Sequence, residues 1–249
     1  MRIGSHRQDW DDLGELDPLW AVLSDPTRQF GQWRLEEFFQ TGDEEIHKLL
    51  QEAKRLGFPR RRNRALDFGC AVGRLTRALT PHFRECFGVD ISEQMINEAK
   101  RLNSSITSCV FIANKEPNLN IFPDEFFDFV LSRLVLQHIP KRDWILSSIS
   151  DFIRVLAKDG LLIFQLPTHI PLRNRLQLRR RIYHLLKRVG LDKTLLYHFL
   201  GLNPIGMNSI SEKLIFKHVR EQGARLLWCD PDPVVSGVPF RGNTYYVSK

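Results

Sequence analysis

The chain has 249 residues, 43% hydrophobic and 26% charged, with 36 basic against 29 acidic side chains for a net charge of +7. It is long enough for one sizeable core; its apolar runs, such as 160–166, are far too short to cross a bilayer, and no apolar run follows the first basic residues as in a secretory signal. The four cysteines (Cys70, Cys86, Cys109, Cys229) are scattered without metal-ligand spacing, which suits free thiols and predicts a cytoplasmic protein, while the positive balance permits an acidic partner without requiring one.

In chain order, residues 1–41 are rich in tryptophan, phenylalanine and acids, and the Asp17–Pro18 and Asp25–Pro26 pairs predict turns rather than long helices. Ile46, Leu49, Leu50, Ala53 and Leu56 then recur at helical spacing, with Asp43 as the expected N-cap and Gly57 as the stop. Residues 1–57 together predict an N-terminal helical cover whose aromatics serve packing. From Arg64 onward, strands and helices alternate. Strand 64–68 precedes helix 74–80, strand 86–90 precedes helix 92–102 with Ser92 as N-cap, and strands 108–112 and 127–132 follow. Helix 141–156 has one apolar face, and strand 160–166 comes after a turn at Lys158, Asp159 and Gly160. Alternation of this kind means a parallel sheet with helices on both faces.

Residues 168–208 interrupt the pattern. Between Pro171 and Val189 lie seven basic residues and no acid, and Leu172, Leu176, Arg179, Ile182, Leu186 and Val189 recur at near-helical spacing. Such a segment suits a substrate lid, a membrane-surface helix or a nucleic-acid contact. Helix 209–222, with Ser209 and Glu212 at capping-box spacing, and two strands at 225–229 and 243–248, expected to pair antiparallel at the sheet edge, close the chain.

The stretch 65–76, ALDFGCAVGRLT, ends an apolar run in Asp67, passes through Gly69, Cys70, Ala71 and Gly73, and enters a helical pattern at Arg74. A strand, a glycine turn and a helix bring a ligand against bare backbone and a helix N-terminus. A second acid, Asp90, ends the run CFGVD, and its carboxylate, an acceptor only, suits a pair of ribose hydroxyls. The glycine spacing does not supply the G-x-G-x-x-G that cradles a dinucleotide pyrophosphate. With LDFGCAVG, GVDIS and LAKDGLLIF in this order, residues 63–166 resemble the class I S-adenosylmethionine-dependent methyltransferase family. Ala71 stands where that family usually has its middle glycine.

The resemblance implies an α/β fold, Rossmann-like and doubly wound, with a mostly parallel seven-stranded sheet and an antiparallel edge strand. The methyltransferase domain would occupy 58–249, with 168–208 a helical lid insertion after the fifth strand. It implies S-adenosyl-L-methionine as cofactor and S-adenosyl-L-homocysteine as product. Asp67, Gly69, Ala71 and Gly73 would form the loop under the methionine part, Asp90 would take the ribose, Ile91 and Met95 would flank the adenine, and Asn114 would accept from its amine. Ser132 and Arg133 would face the methyl end, and Phe39 and Thr41 are further contact candidates. Plainer roles exist for some of these: Asp67 tying down its loop, Asn114 making a turn.

A general base is needed only where the acceptor arrives protonated. His138, after the fourth strand, and His169, beyond the fifth, are the candidates, since imidazole titrates in the useful range; His138 also suits a structural role at the start of the next helix. No metal cluster and no signal for an oligomeric state is legible. The expected function is methyl transfer to the oxygen or nitrogen of a small-molecule acceptor. The alternatives are an RNA methyltransferase or nucleic-acid-binding protein using the basic helix, and a membrane-surface methyltransferase of a lipid-linked substrate.

Overall fold

Seven strands, β1 (Arg64–Phe68), β2 (Glu85–Asp90), β3 (Cys109–Ala113), β4 (Phe127–Ser132), β5 (Leu156–His169), β6 (Arg225–Asp232) and β7 (Arg241–Ser248), form one sheet in the order β3-β2-β1-β4-β5-β7-β6. Every neighbouring pair is parallel except those made by β7, which runs antiparallel to both β5 and β6. The computed structural model describes residues 3–232 and 241–249, with the backbone alone for Leu172, Arg173 and Asp232.

Alternation along the strands sends successive side chains to opposite faces. Leu66, Val130, Leu162, Phe164 and Tyr245 meet Ile149 and Phe152 of α6 (Arg142–Val155) and Ile215 and Val219 of α10 (Glu212–Glu221). On the other face, Ala65, Phe129, Leu131, Ile163 and Tyr246 meet Ile46, Leu50 and Ala53 of α3 (Leu35–Leu56) and Leu75 and Leu79 of α4 (Arg74–Leu79). α5 (Glu93–Leu102) packs Ile96 and Ala99 on Phe111 of β3. Parallel strands buried on both faces place the carboxyl ends of β1, β2 and β4 at one edge, where ligands bind in such sheets.

Several boundaries differ from the sequence expectation. Residues 3–16 form a full helix, α1 (Ile3–Leu16), followed by the short α2 (Pro18–Val22). Its buried face is polar, with His6, Asp9 and Asp12 beside Leu13, so no apolar period announces it. The helix holding Ile46 begins at Leu35 with Arg34 as N-cap, so Asp43 is interior. Phe38, Phe39 and Ile46 share one stripe, and Gly42 is no break: a Cβ there would lie 2.7 Å from the Arg74 carbonyl oxygen, so the glycine lets α3 and α4 approach closely. The helix does stop at Gly57, which takes φ +78 and donates to Ala53 and Lys54 carbonyls.

The turn at Asp159 (φ +59) is absorbed as an irregularity inside β5. The C-terminal helix is capped by Ser211 rather than Ser209, without a side-chain bond. Residues 168–208 hold three helices, α7 (Leu172–Arg175), α8 (Leu178–Arg188) and α9 (Lys193–His198), and the left-handed Gln177 (φ +48) separates the first two. The apolar stripe of α8 is Leu178, Ile182, Leu185 and Val189, with Leu186 turned inward; the side chains of Leu172 and Arg173, also expected in this segment, lie outside the described residues.

Candidate functional site

The loop after β1 is built from left-handed residues at Gly69 (φ +75), Ala71 (φ +45) and Gly73 (φ +84). It folds back so that Gly69 and Cys70 N–H donate to the Val89 carbonyl at 2.7 and 3.1 Å, and Ala71 N–H donates to Asp90 Oδ2 at 2.9 Å. A Cβ on Gly69 would lie 2.3 Å from Val135, and one on Gly73 2.7 Å from the Phe111 ring. Their freedom is therefore used by the protein's own packing. Ala71 holds its left-handed backbone at a cost of about 1–2 kcal/mol, and its methyl packs against the cluster of Leu13, Phe38 and Met95.

Asp67 and Asp90 serve differently. Asp67 is buried and accepts from Thr76 Oγ1 at 2.7 Å, fastening β1 to α4. Asp90 is half-buried at the end of β2; Oδ1 accepts from Ser92 N–H and Oδ2 from Ala71 N–H, both at 2.9 Å. Burial lifts Asp67 to about 6 against the Thr76 bond, and lifts Asp90 to about 6 against backbone N–H bonds from Ser92, Ala71 and Ile91. A carboxylate offers about four acceptor positions, so with three backbone donors on it Asp90 keeps one for a ligand's hydroxyl.

Met95 is fully buried beneath Leu13 of α1, and Ile91 is half-buried beside Asp90. Asp11 of α1 accepts from Ser92 Oγ at 2.8 Å, so this helix lies across the Asp90 edge. Asn114 turns its own loop: Nδ2 donates to the Asn118 carbonyl at 2.5 Å and Oδ1 accepts from Glu116 N–H at 3.3 Å. Phe39 is buried under Arg77, and Thr41 donates to the Phe38 carbonyl.

At the end of β4, Ser132 is fully buried and its Oγ has no hydrogen-bond partner among the described residues. An orphaned hydroxyl at this edge is a group a ligand satisfies. Together with Asp90's spare acceptor position it fits an adenosyl cofactor whose ribose and methionine parts lie along the edge. Arg133 next to it is tied down: Nε donates to Glu45 Oε1 at 2.8 Å and Nη1 to Thr244 Oγ1 at 2.5 Å. Glu45 Oε2 accepts from Arg74 Nη2 at 2.7 Å, and Arg74 Nη1 donates to Thr41 at 3.3 Å. Sequence reasoning missed Glu45, Arg74 and Thr244, because nothing in their spacing brings positions from α3, α4 and β7 together.

His138 ends a 3-10 turn after β4 and touches the Trp10 ring at 5.3 Å between centroids. Its Nδ1 lies 2.7 Å from the Gly206 carbonyl, an acceptor only, so Nδ1 carries the proton and Nε2 accepts from Gln137 Nε2 at 3.1 Å. Burial lowers its pKa to about 4, with Arg180 adding to the effect against the Gly206 bond. Around it lies a cavity of about 10 Å³, bounded by His6, Asp9, Trp10 and Leu13 of α1, Arg180 of α8 and the 204–206 loop. His169 is not part of this group. β5 extends to His169, which pairs with Arg241 of β7 and is exposed at the strand end.

The two segments over the cavity are joined by charge. Asp9 pairs with Arg180 at 3.2 Å, Asp12 with Lys187 and with Lys193 at 3.5 Å, and Glu15 with Lys193. Tyr183, fully buried, donates to Asp12, and Tyr197, also buried, donates to Asp17. Burial raises Asp9 to about 6 in spite of Arg180, whereas Asp12, also opposed by burial, is held below the usual carboxylate range by Lys187, Gln8 and Lys193.

Residues 66–164 match a family model described as a methyltransferase domain. The uncharacterized methyltransferase YcgJ of Bacillus subtilis (strain 168) is 27% identical over 130 residues, 51% of this chain and 48% of the relative. The chain spans about half the length of the curated relatives it matches. Among solved structures, magnesium protoporphyrin IX methyltransferase (ChlM) from Synechocystis PCC 6803 with bound SAH superposes with a TM-score of 0.63 at 19% identity, over 99% of both chains. The N-methyltransferase NodS from Bradyrhizobium japonicum WM9 in complex with S-adenosyl-L-homocysteine does so at 0.60 and 15%, over 98% of both. At these identities the likeness establishes the fold.

Proposed function

We propose that the chain is a class I S-adenosylmethionine-dependent methyltransferase, a reading supported by the methyltransferase-domain match at residues 66–164, and that it methylates the oxygen or nitrogen of a small-molecule acceptor beneath a cover made of α1, α8 and α9. The observation that carries this reading is the cavity at His138, roofed by α1 and α8 and sealed by their ion pairs. At about 10 Å³ the cavity holds no more than a water molecule while the cover is closed, so a compact acceptor enters only when the cover parts. A polynucleotide would have to thread beneath two helices.

S-adenosylmethionine, when bound, supplies a methyl group on a positively charged sulfur, ready for in-line displacement. In this proposal Asp90 accepts from a ribose hydroxyl, the 69–73 loop and Ile91 line the cofactor's bed, and Ser132 Oγ bonds its methionine end. Asp67 and Asn114 act through the loops they hold, and Met95 through the packing of Leu13 against it. Arg133, held by Glu45, keeps the wall beside Ser132 in place. The cover excludes water and positions the acceptor. His138, neutral and with its Nδ1 proton fixed on Gly206, presents Nε2 as the acceptor for a substrate proton once Gln137 yields its place.

Two outcomes follow. Affinity for S-adenosylhomocysteine should fall about tenfold between pH 7 and pH 5, because protonation of Asp90 near 6 removes an acceptor oxygen. Titration calorimetry on the wild type and on Asp90→Asn checks this: the variant, with nothing to titrate there, should lose the pH dependence. Second, His138→Ala should lower kcat by about a hundredfold or more while leaving cofactor affinity unchanged; unchanged kcat would reduce His138 to a packing residue. The acceptor class is tested by incubating the protein and methyl-labelled cofactor with separated small-molecule, RNA and protein fractions. Label in the small-molecule fraction supports the proposal, and label in RNA or protein overturns it.

A further inference from the structure

The helix over the site is built inside out. At ~100° per residue, Arg180, Tyr183, His184 and Lys187 of α8 face inward onto the acids of α1. Leu178, Ile182, Leu185 and Val189 fall within about 60° of one another on the opposite side, and they are 57%, 45%, 61% and 67% exposed. Leu176 in the preceding turn, and Leu195, Phe199 and Leu200 on and after α9, which packs on α8 through Tyr183 and Leu196, are exposed as well, Phe199 at 83%. Arg179 flanks the α8 stripe on one side and Arg181 and Arg188 on the other, all exposed. Arg175, Arg181 and Arg188 make no ion pair with an acid among the described residues.

We propose that this outer face of α8 is a membrane-docking surface that lies in the headgroup region of an anionic lipid bilayer. An apolar stripe bordered on both sides by arginine is the arrangement that buries its leucines at the acyl boundary while the guanidinium groups reach phosphate. The net charge of +7 adds long-range attraction to a negative surface. A second copy of the chain fits this face poorly, because an isologous contact sets the same arginines against one another and residues 171–189 contain no acid to answer them. Nucleic acid fits poorly too, since aliphatic leucines and isoleucine offer bases no stacking platform. No helix among the described residues is long and apolar enough to cross a membrane, so the contact is peripheral. This inference stands apart from the methyltransferase reading and is read without turnover.

The experiment is flotation of the full chain with vesicles of pure phosphatidylcholine and of phosphatidylcholine mixed with phosphatidylglycerol, at low and high salt. The wild type should bind the mixed vesicles, lose them at high salt and ignore the neutral ones. Arg181→Ala with Arg188→Ala should weaken binding about thirtyfold, each arginine at the surface accounting for about fivefold. Leu185→Ser with Val189→Ser should weaken it by about tenfold or more. All four positions are exposed, so the melting temperature reports that the variants stay folded. No binding to mixed vesicles, binding indifferent to both variants, or a wild-type dimer that the serine variant dissociates would each overturn the proposal, the last by making the stripe a contact between copies.

Discussion

Replacing Glu45 by glutamine is expected to lower the unfolding free energy by about 3–5 kcal/mol, the cost of leaving buried charge without its partner. Glu45 lies between Arg74, 3% exposed, and Arg133, 15% exposed, and each of its oxygens takes one guanidinium. With the carboxylate gone, both cations stay desolvated while α3, α4 and the end of β4 lose their common tie. Burial alone would raise the pKa of Glu45, but Arg74 and Arg133 hold it below the usual value of 4.5. A depressed acid contributes its full stability above its unfolded pKa and loses it as pH falls through the folded value. The gap between wild type and Glu45→Gln should therefore be complete at neutral pH and narrow below about pH 4.5. Urea unfolding at neutral and acid pH checks both statements. A pH-independent gap would mean that shape rather than charge is what Glu45 supplies.

The second large effect concerns the cover. Deleting residues 173–201 and rejoining the ends should lower turnover by at least about a hundredfold, because the acceptor loses its roof and water reaches the site. Cofactor affinity should stay within about tenfold, or about 1.4 kcal/mol, since Asp90, Ser132 and α1 remain. The deletion also strips Tyr183 from Asp12 and Tyr197 from Asp17, so a gentler variant accompanies it. Asp12→Ala removes the partner of Lys187, Lys193 and Tyr183 while leaving every helix in place, and should lower kcat about tenfold, roughly the 1.4 kcal/mol of one weakened closure contact. Turnover that survives the deletion would show that the segment is no lid. Loss of cofactor binding in a folded deletion variant would assign the segment to the cofactor site instead.

The legible part of the chain was the part where local signals and tertiary packing agree. Strands 64–68 and 127–132 are bounded as expected, and Ser92 caps α5 by accepting from Met95 N–H. The Asp90 edge followed from a residue type at the end of a strand. Helix α1 was illegible because its buried face is acidic: the charges that hide it in sequence are neutralised by Arg180, Lys187 and Lys193, some 170 positions later. The early start of α3 was hidden by Gly42, whose missing side chain serves contact with Arg74 rather than a turn. His169 was misplaced because the reading ended β5 too soon, and antiparallel pairing with β7 carries the strand past Pro167. The Arg133–Glu45–Arg74 cluster leaves no local trace, since it exists only after three separate elements have packed.

The most direct measurement is isothermal titration of the wild-type chain with S-adenosylhomocysteine at neutral pH, beside Asp90→Ala. Saturable binding to the wild type is expected, with the variant weakened about ten- to a hundredfold, which corresponds to charged hydrogen bonds of about 1.5–3 kcal/mol. Absence of heat, together with no thermal-shift response to either S-adenosylhomocysteine or S-adenosylmethionine, would contradict the account; binding that Asp90→Ala leaves untouched would contradict its placement of the ribose.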